Sequence, residues 1–102
     1  MRILFDQGTP VPLRGFLRGH EVQTAYQMGW AKLTNGDLIA ACERDFELLI
    51  TTDKNLKYQQ QVSGRKIGIL VLPTTNWPEL KLMAESIVRA VERMRPGDYL
   101  EL

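Results

Sequence analysis

The sequence has very little cysteine or histidine and no long hydrophobic run, and each shortage excludes a class of protein. Cys42 is the only cysteine among 102 residues, so no intramolecular disulfide can form and an oxidising compartment is not implied. His20 is the only histidine, which leaves too few ligands for a zinc site. The longest apolar run, residues 67–72, has the length of a strand and not of a membrane span. We therefore expect a cytoplasmic protein that does not cross a membrane.

The sequence also lacks an excess of charge of either sign. Its 13 lysines and arginines face 12 aspartates and glutamates, so the formal net charge is +1. This balance excludes a strongly basic chain that binds nucleic acid through bulk charge, and it excludes an acidic tail protein. An apolar fraction of 44% and a charged fraction of 25% are typical of a globular protein. We expect a single domain spanning residues 1–102, because the chain has no room for two.

Strand and helix patterns alternate along the chain and predict an α/β fold. Short apolar runs predict four strands and a final edge strand, at residues 3–5, 20–25, 48–52, 67–72 and 99–102. Apolar residues at helical spacing predict helices near residues 10–17, 35–46, 56–62 and 78–94. This alternation predicts a mainly parallel sheet with helices on both faces.

Two aspartates directly follow predicted strands. Asp6 follows the first strand and Asp53 follows the third. If the strand order is 2-1-3-4, these strands are neighbours about 4.8 Å apart, and they flank the point where open α/β sheets bind ligands. Asp37, at the start of the helix that leads into the third strand, is a third candidate for the same edge. Clustered carboxylates repel one another, and Mg²⁺ suits such a cluster because it prefers oxygen ligands.

Each of the three acids also has a purely structural interpretation. Asp6 and Asp53 suit the turns and caps that open the following helices, and Asp37 suits a capping box with Thr34. Sequence spacing alone does not decide between a helix cap and a metal ligand at these positions.

A basic segment follows Asp53. Residues 54–66 contain no acid and carry a local charge of +4, from Lys54, Lys57, Arg65 and Lys66. Cations position phosphates, and Tyr58 within this segment can stack a nucleic-acid base. A solvated helix face with a half-buried Tyr58 is the alternative interpretation.

Four stretches of the chain together resemble the small PIN-like family of short bacterial proteins. They are ILFDQ at residues 3–7, followed by Pro10, then HEV at 20–22, NGDLI at 35–39 and LITTDKNL at 49–56. The resemblance covers nearly the whole chain and implies a compact PIN domain, a three-layer αβα sandwich with strand order 2-1-3-4. It also implies a hydrolase that cleaves RNA with Mg²⁺ or Mn²⁺, in many members as the toxin of a toxin–antitoxin pair whose partner is an antitoxin protein.

By this resemblance, Asp6, Asp37 and Asp53 match the catalytic, metal-binding acids of the family. The chain departs from the family at positions 7 and 55, which are often acidic there. Gln7 and Asn55 occupy these positions, and we expect them to donate a neutral oxygen or to bind the substrate. The remaining acids support one metal ion rather than two.

Three functional interpretations remain open at this point. The first is a metal-dependent ribonuclease of PIN type, in which Lys54 and Lys57 hold the RNA backbone. The second is a catalytically weak module that binds RNA or a protein partner, which the changes at positions 7 and 55 favour. The third is a phospho-acceptor receiver domain, which the missing acid pair after strand one disfavours. The region around Trp30 and the last helix are apolar candidates for a homodimer surface.

Overall fold

A parallel sheet forms the centre of the protein. A computed structural model describes residues 1–56 and 65–102. In these residues the sheet has five strands, β1 (Arg2–Phe5), β2 (Glu21–Thr24), β3 (Leu48–Thr51), β4 (Gly68–Val71) and β5 (Tyr99–Glu101). Their order is β2-β1-β3-β4-β5, and every neighbouring pair is parallel. The predicted order of the first four strands and the edge position of the last are confirmed.

Helical segments cover both faces of this sheet. A 3₁₀ helix spans Val11–Phe16, and the α-helices are α1 (Asn35–Asp45), α2 (Trp77–Leu82) and α3 (Ala84–Arg93). The 3₁₀ helix, α2 and α3 pack on one face and α1 on the other, which confirms the predicted α/β sandwich. The helix predicted at residues 56–62 lies, apart from Leu56, outside the described residues. None of the described helices combines the length and apolar character that crossing a bilayer requires.

The central strands are apolar on both sides because both of their faces are covered. Ile3 and Phe5 of β1 join the core cluster beneath α2 and α3, whereas Leu4 joins the cluster beneath α1. In β3 the residues alternate in the same way, with Ile50 in the first cluster and Leu49 in the second. All five side chains are buried. Successive strand side chains point to opposite faces, so a parallel sheet between two helical layers needs this pattern.

Two predicted helices differ in detail from the observed ones. The segment after Pro10 is a 3₁₀ helix, in which Pro12 supplies no backbone N–H for an α-helical ladder. The single helix predicted over residues 78–94 is two helices, because Met83 adopts φ −101° and ψ 6°, outside the α-helical region. Leu80 and Ile87, on either side of this break, reach the same core cluster, so the apolar spacing continues through it.

Cys42 is part of the core. Its side chain is fully buried where α1 packs on the sheet. Burial raises the pKa of the thiol, and the nearby carboxylates of Glu43 and Asp45 raise it further. The thiol is therefore protonated and has a structural role.

An ion pair ties α1 to the segment that enters β4. Glu43 accepts hydrogen bonds from Arg65 Nη1 at 2.6 Å and from the Lys66 backbone N–H at 3.0 Å. Burial opposes the ionisation of Glu43, but the bonds from Lys66 and Arg65 outweigh it and hold the pKa below its usual value. One cation of the basic segment is therefore engaged in a structural contact.

Replacing Glu43 by glutamine is expected to lower the free energy of unfolding by about 1–2 kcal/mol near neutral pH, because a neutral amide weakens both bonds. The pKa of Glu43 is lower in the folded than in the unfolded chain, so its contribution is present above the unfolded-state pKa. It is lost as the pH falls through the folded-state pKa. Urea unfolding at a series of pH values should show the difference from wild type shrinking in acid. Glu92→Gln, at an exposed position of α3, is the control, and a pH-independent difference would contradict the assignment.

Candidate functional site at the carboxyl edge of the sheet

Residues 6–9, which follow β1, are hydrogen-bonded to the end of β3. The backbone N–H of Asp6 and the hydroxyl of Thr9 both donate to the carbonyl of Ile50, each at 2.9 Å. Thr9 is buried, and its backbone N–H donates to the carbonyl of Asp6. These bonds fold residues 6–9 into a tight turn over the carboxyl edge of the sheet, and they fix the backbone that carries Asp6.

Gly8 lets this turn approach β3 closely. A Cβ atom at Gly8 would lie 2.6 Å from Thr52 Oγ1, well inside van der Waals contact. Any larger residue would therefore have to move the turn or rotate the Thr52 side chain. Glycine fits here because a neighbouring side chain occupies the space that a Cβ would need.

The hydroxyl of Thr51 connects two of the candidate acids. It donates a hydrogen bond to Asp6 Oδ2 at 2.8 Å and accepts one from the backbone N–H of Asp53 at 3.1 Å. Thr51 is the last residue of β3 and is only 1% exposed. Sequence patterns alone did not assign a role to Thr51. The role follows from the register of the two strands, because Phe5 pairs with Ile50 and brings the next residues, Asp6 and Thr51, together.

Backbone N–H groups also donate to these two carboxylates. Asp6 Oδ1 accepts from the N–H of Gln7 at 2.7 Å, and Asp53 Oδ1 accepts from the N–H of Asn55 at 2.9 Å. Both aspartates are half-buried. Asp53 therefore opens a turn, as its structural interpretation expects. This does not prevent a second role, because an ionised carboxylate has about four acceptor sites.

Asp37 lies in the first turn of α1 and is hydrogen-bonded to Thr34, the N-cap residue of this helix. Its backbone N–H donates to Thr34 Oγ1 at 3.5 Å, and the Thr34 hydroxyl donates to Asp37 Oδ2 at 3.1 Å. The structure thus links Asp6 to Asp53 through Thr51, while Asp37 is bonded to Thr34. In the two described ranges of the chain, no group of three or more histidine, cysteine, aspartate or glutamate residues could hold a metal ion.

The predicted substrate-binding residues divide into two sets. Gln7, Lys54 and Asn55 are exposed and lie within two residues of Asp6 or Asp53. Lys57 and Tyr58 lie outside the described residues. Lys54 is therefore the one cation among these predicted residues whose position beside the acids is described.

A cavity of about 340 Å³ opens beside Asp6, where β1 and β2 end. Arg14 of the 3₁₀ helix and Tyr26, which follows β2, also line it. Arg14 donates to Gln27 Oε1 at 3.0 Å, and Gln27 is held in turn by Thr24. Tyr26 and Gln27 were not assigned from the sequence, because they meet Arg14 only when β2 pairs with β1 and the 3₁₀ helix packs beside them.

Comparisons of the chain with models of protein families, with curated proteins and with solved structures return no match. The observed strand order is common among doubly wound sheets, so the fold does not by itself assign a family. The residues of the site and their chemistry are therefore what can indicate a function.

Replacing Thr51 by valine is expected to lower the free energy of unfolding by about 1–3 kcal/mol, because two hydrogen bonds at a buried position are lost. Thr51→Ser keeps the hydroxyl and should recover most of this loss. Urea unfolding of the two variants and the wild type measures both effects. If the valine variant were as stable as the wild type, the hydroxyl would not be holding the turn and the strand end together.

Proposed function

We propose that this protein is a metal-dependent ribonuclease of PIN type that cleaves RNA phosphodiesters. The observation that carries the proposal is the link from Asp6 through the Thr51 hydroxyl to Asp53. Asp6 directly follows β1, Thr51 ends β3 and Asp53 lies two residues beyond it. These neighbouring strands are the ones at which the direction of sheet growth reverses. Ligands of open α/β sheets bind at such a point.

The oxygen atoms at this edge fit a hard divalent cation. Each oxygen of Asp6 accepts one described hydrogen bond, and an ionised carboxylate has further acceptor sites. Mg²⁺ is commonly bound through one or two carboxylates together with waters and substrate phosphates, and Mn²⁺ prefers the same ligands. The proposal therefore assigns Mg²⁺ or Mn²⁺ to Asp6 and Asp53, with Gln7 and Asn55 as neighbouring polar groups. It leaves Asp37 as the cap of α1.

The protein would supply position and charge for the reaction. A divalent ion at the two acids would activate water and neutralise charge on the phosphate. Thr51 would hold the Asp6 carboxylate in one orientation, and the turn at residues 6–9 would keep it at the sheet edge. Lys54, exposed next to Asp53, would bind a backbone phosphate without reading the base.

Binding without catalysis is a second candidate function. Gln7 and Asn55 occupy positions that are often acidic in the family that the chain resembles. Among the described residues, Thr51 links only two of the three candidate acids, Asp6 and Asp53. A module of this kind would bind RNA or a protein partner, such as an antitoxin, at the same edge. Metal uptake at Asp6 separates the two candidates, since a binding module does not need it.

The homodimer surface remains a prediction. Trp30 is half-buried, and its ring lies 6.1 Å from the ring of Phe46 in an edge-on arrangement. Part of this side chain therefore serves the fold. Leu82, the last residue of α2, is 90% exposed and is therefore a stronger candidate than Trp30 for an apolar contact with a second copy.

Replacing Asp6 by asparagine is expected to abolish both metal uptake and RNA cleavage, because the substitution removes one of the two proposed anionic ligands. Calorimetry with Mn²⁺ measures the first effect, and the degradation of labelled RNA with Mg²⁺ or EDTA measures the second. Asp37→Asn is the matched control, which should keep both properties and lose about 0.3–1 kcal/mol of stability, because it removes a negative charge from the first turn of α1.

Cleavage by pure Asp6→Asn protein at the wild-type rate would reject the ribonuclease proposal. RNA binding by a wild-type protein that takes up no metal and cleaves nothing would favour the binding module instead. Loss of cleavage in a folded Asp37→Asn variant would place the third acid in the site.

A further inference from the structure

We propose that the cavity beside Asp6 is a nucleotide subsite, in which Tyr26 stacks on a base and Arg14 binds the adjoining phosphate. This inference rests on the proposed function, because it states where RNA lies relative to the two acids. It differs from the sequence-based expectation, which placed the substrate along Lys54, Lys57 and Tyr58.

Arg14 is a cation with unused hydrogen-bonding capacity. Its Nε atom is buried and has no hydrogen-bond partner among residues 1–56 and 65–102. No acid in the same part of the chain forms an ion pair with it. Buried polar atoms in folded proteins nearly always have partners, so an exception calls for an explanation. An incoming oxyanion would compensate the charge of the guanidinium and accept from its terminal N–H groups.

Gln27 positions Arg14 without neutralising it. Gln27 Oε1 accepts from Arg14 Nη2 and from the backbone N–H of Thr24, both at 3.0 Å. The Gln27 backbone N–H donates back to Thr24 Oγ1 at 3.0 Å. Because the amide carries no charge, the guanidinium keeps its full positive charge at the cavity. A planar guanidinium held in place in this way is well suited to phosphate oxygens.

Tyr26 provides an aromatic surface in the same cavity. Its side chain is 79% exposed, and Val11, which also lines the cavity, is 51% exposed. Exposed apolar groups that share a cavity with a few polar ones are typical of binding sites. An aromatic side chain beside a cation binds single-stranded nucleic acid with little sequence preference, because every base has a face that can stack.

The combination of groups favours RNA over other anions. The cavity of about 340 Å³ is at the small end of the usual range for ligand pockets and has room for one nucleotide unit. A free phosphate or a protein carboxylate would occupy Arg14 but leave Tyr26 unused. Asp6, in the same lining, would face the phosphodiester through its metal ion. A nucleotide within a chain is the ligand that uses the aromatic ring, the cation and the acid together.

Fluorescence anisotropy tests the subsite separately from catalysis. The probe is a 5′-fluorescein-labelled single-stranded RNA of about eight nucleotides, a typical length for such sites. The buffer contains EDTA, so neither metal binding nor cleavage contributes. Tyr26→Ala is expected to weaken binding about 5- to 150-fold through lost stacking. Tyr26→Phe keeps the ring and should bind as the wild type does.

A second variant tests the phosphate contact. Arg14→Gln should weaken binding and lower the slope of log K against log salt by about one unit, as expected for one lost phosphate contact. Arg18→Gln is the matched control, because Arg18 is exposed just beyond the same 3₁₀ helix and does not line the cavity. Circular dichroism shows whether each variant keeps the fold.

The outcomes distinguish this inference from the proposed function. Wild-type binding by both Tyr26→Ala and Arg14→Gln would overturn the subsite, even if Asp6→Asn still abolished cleavage. Failure of the wild type to bind the probe in EDTA would also overturn it. Binding that depends on Tyr26 and Arg14 in a protein that cleaves no RNA with metal would support the subsite and reject the ribonuclease.

Discussion

The pairing of β1 with β3 is the contact on which the candidate site depends. Phe5 lies opposite Ile50 in this pair, so the residues that follow them, Asp6 and Thr51, become neighbours and form a hydrogen bond. The pairing cannot slip by one residue without moving every core side chain of a strand to the opposite face. Both faces of β1 and β3 are buried against different sets of close-packed side chains, so a slip would disrupt both core clusters. The core packing therefore holds Asp6 and the residues that follow β3 at one edge.

The fold and part of the site could be predicted from residue patterns because their causes are local. Strands buried on both faces are continuously apolar, so their positions and the parallel sheet were predictable. The adjacency of Asp6 and Asp53 follows from that topology, and Asp37 with Thr34 shows a recognisable cap. The break between α2 and α3 at Met83 was not predictable, because the apolar residues keep their helical spacing across both helices.

The remaining parts of the site depend on contacts between distant residues. Thr51 acts only through the register of β3 against β1, which no short pattern specifies. Arg14 and Tyr26 come from segments before and after β2 and meet where the strand ends.

The net charge of the chain does not show how its charged side chains are placed. Lys54 lies next to Asp53, while Arg14 shares a cavity with Asp6, so cations lie near both acids of the site.

In the proposed function, Asp6 and Asp53 hold one divalent cation at the edge where β1 and β3 end. Diffraction from crystals soaked in Mn²⁺, with data collected to reveal anomalous scattering, tests it most directly. We expect one strong anomalous peak in contact with carboxylate oxygens of both residues, at about 2.1 Å, and no such peak in Asp6→Asn crystals. A peak confined to other residues, or no peak at saturating Mn²⁺, would contradict it.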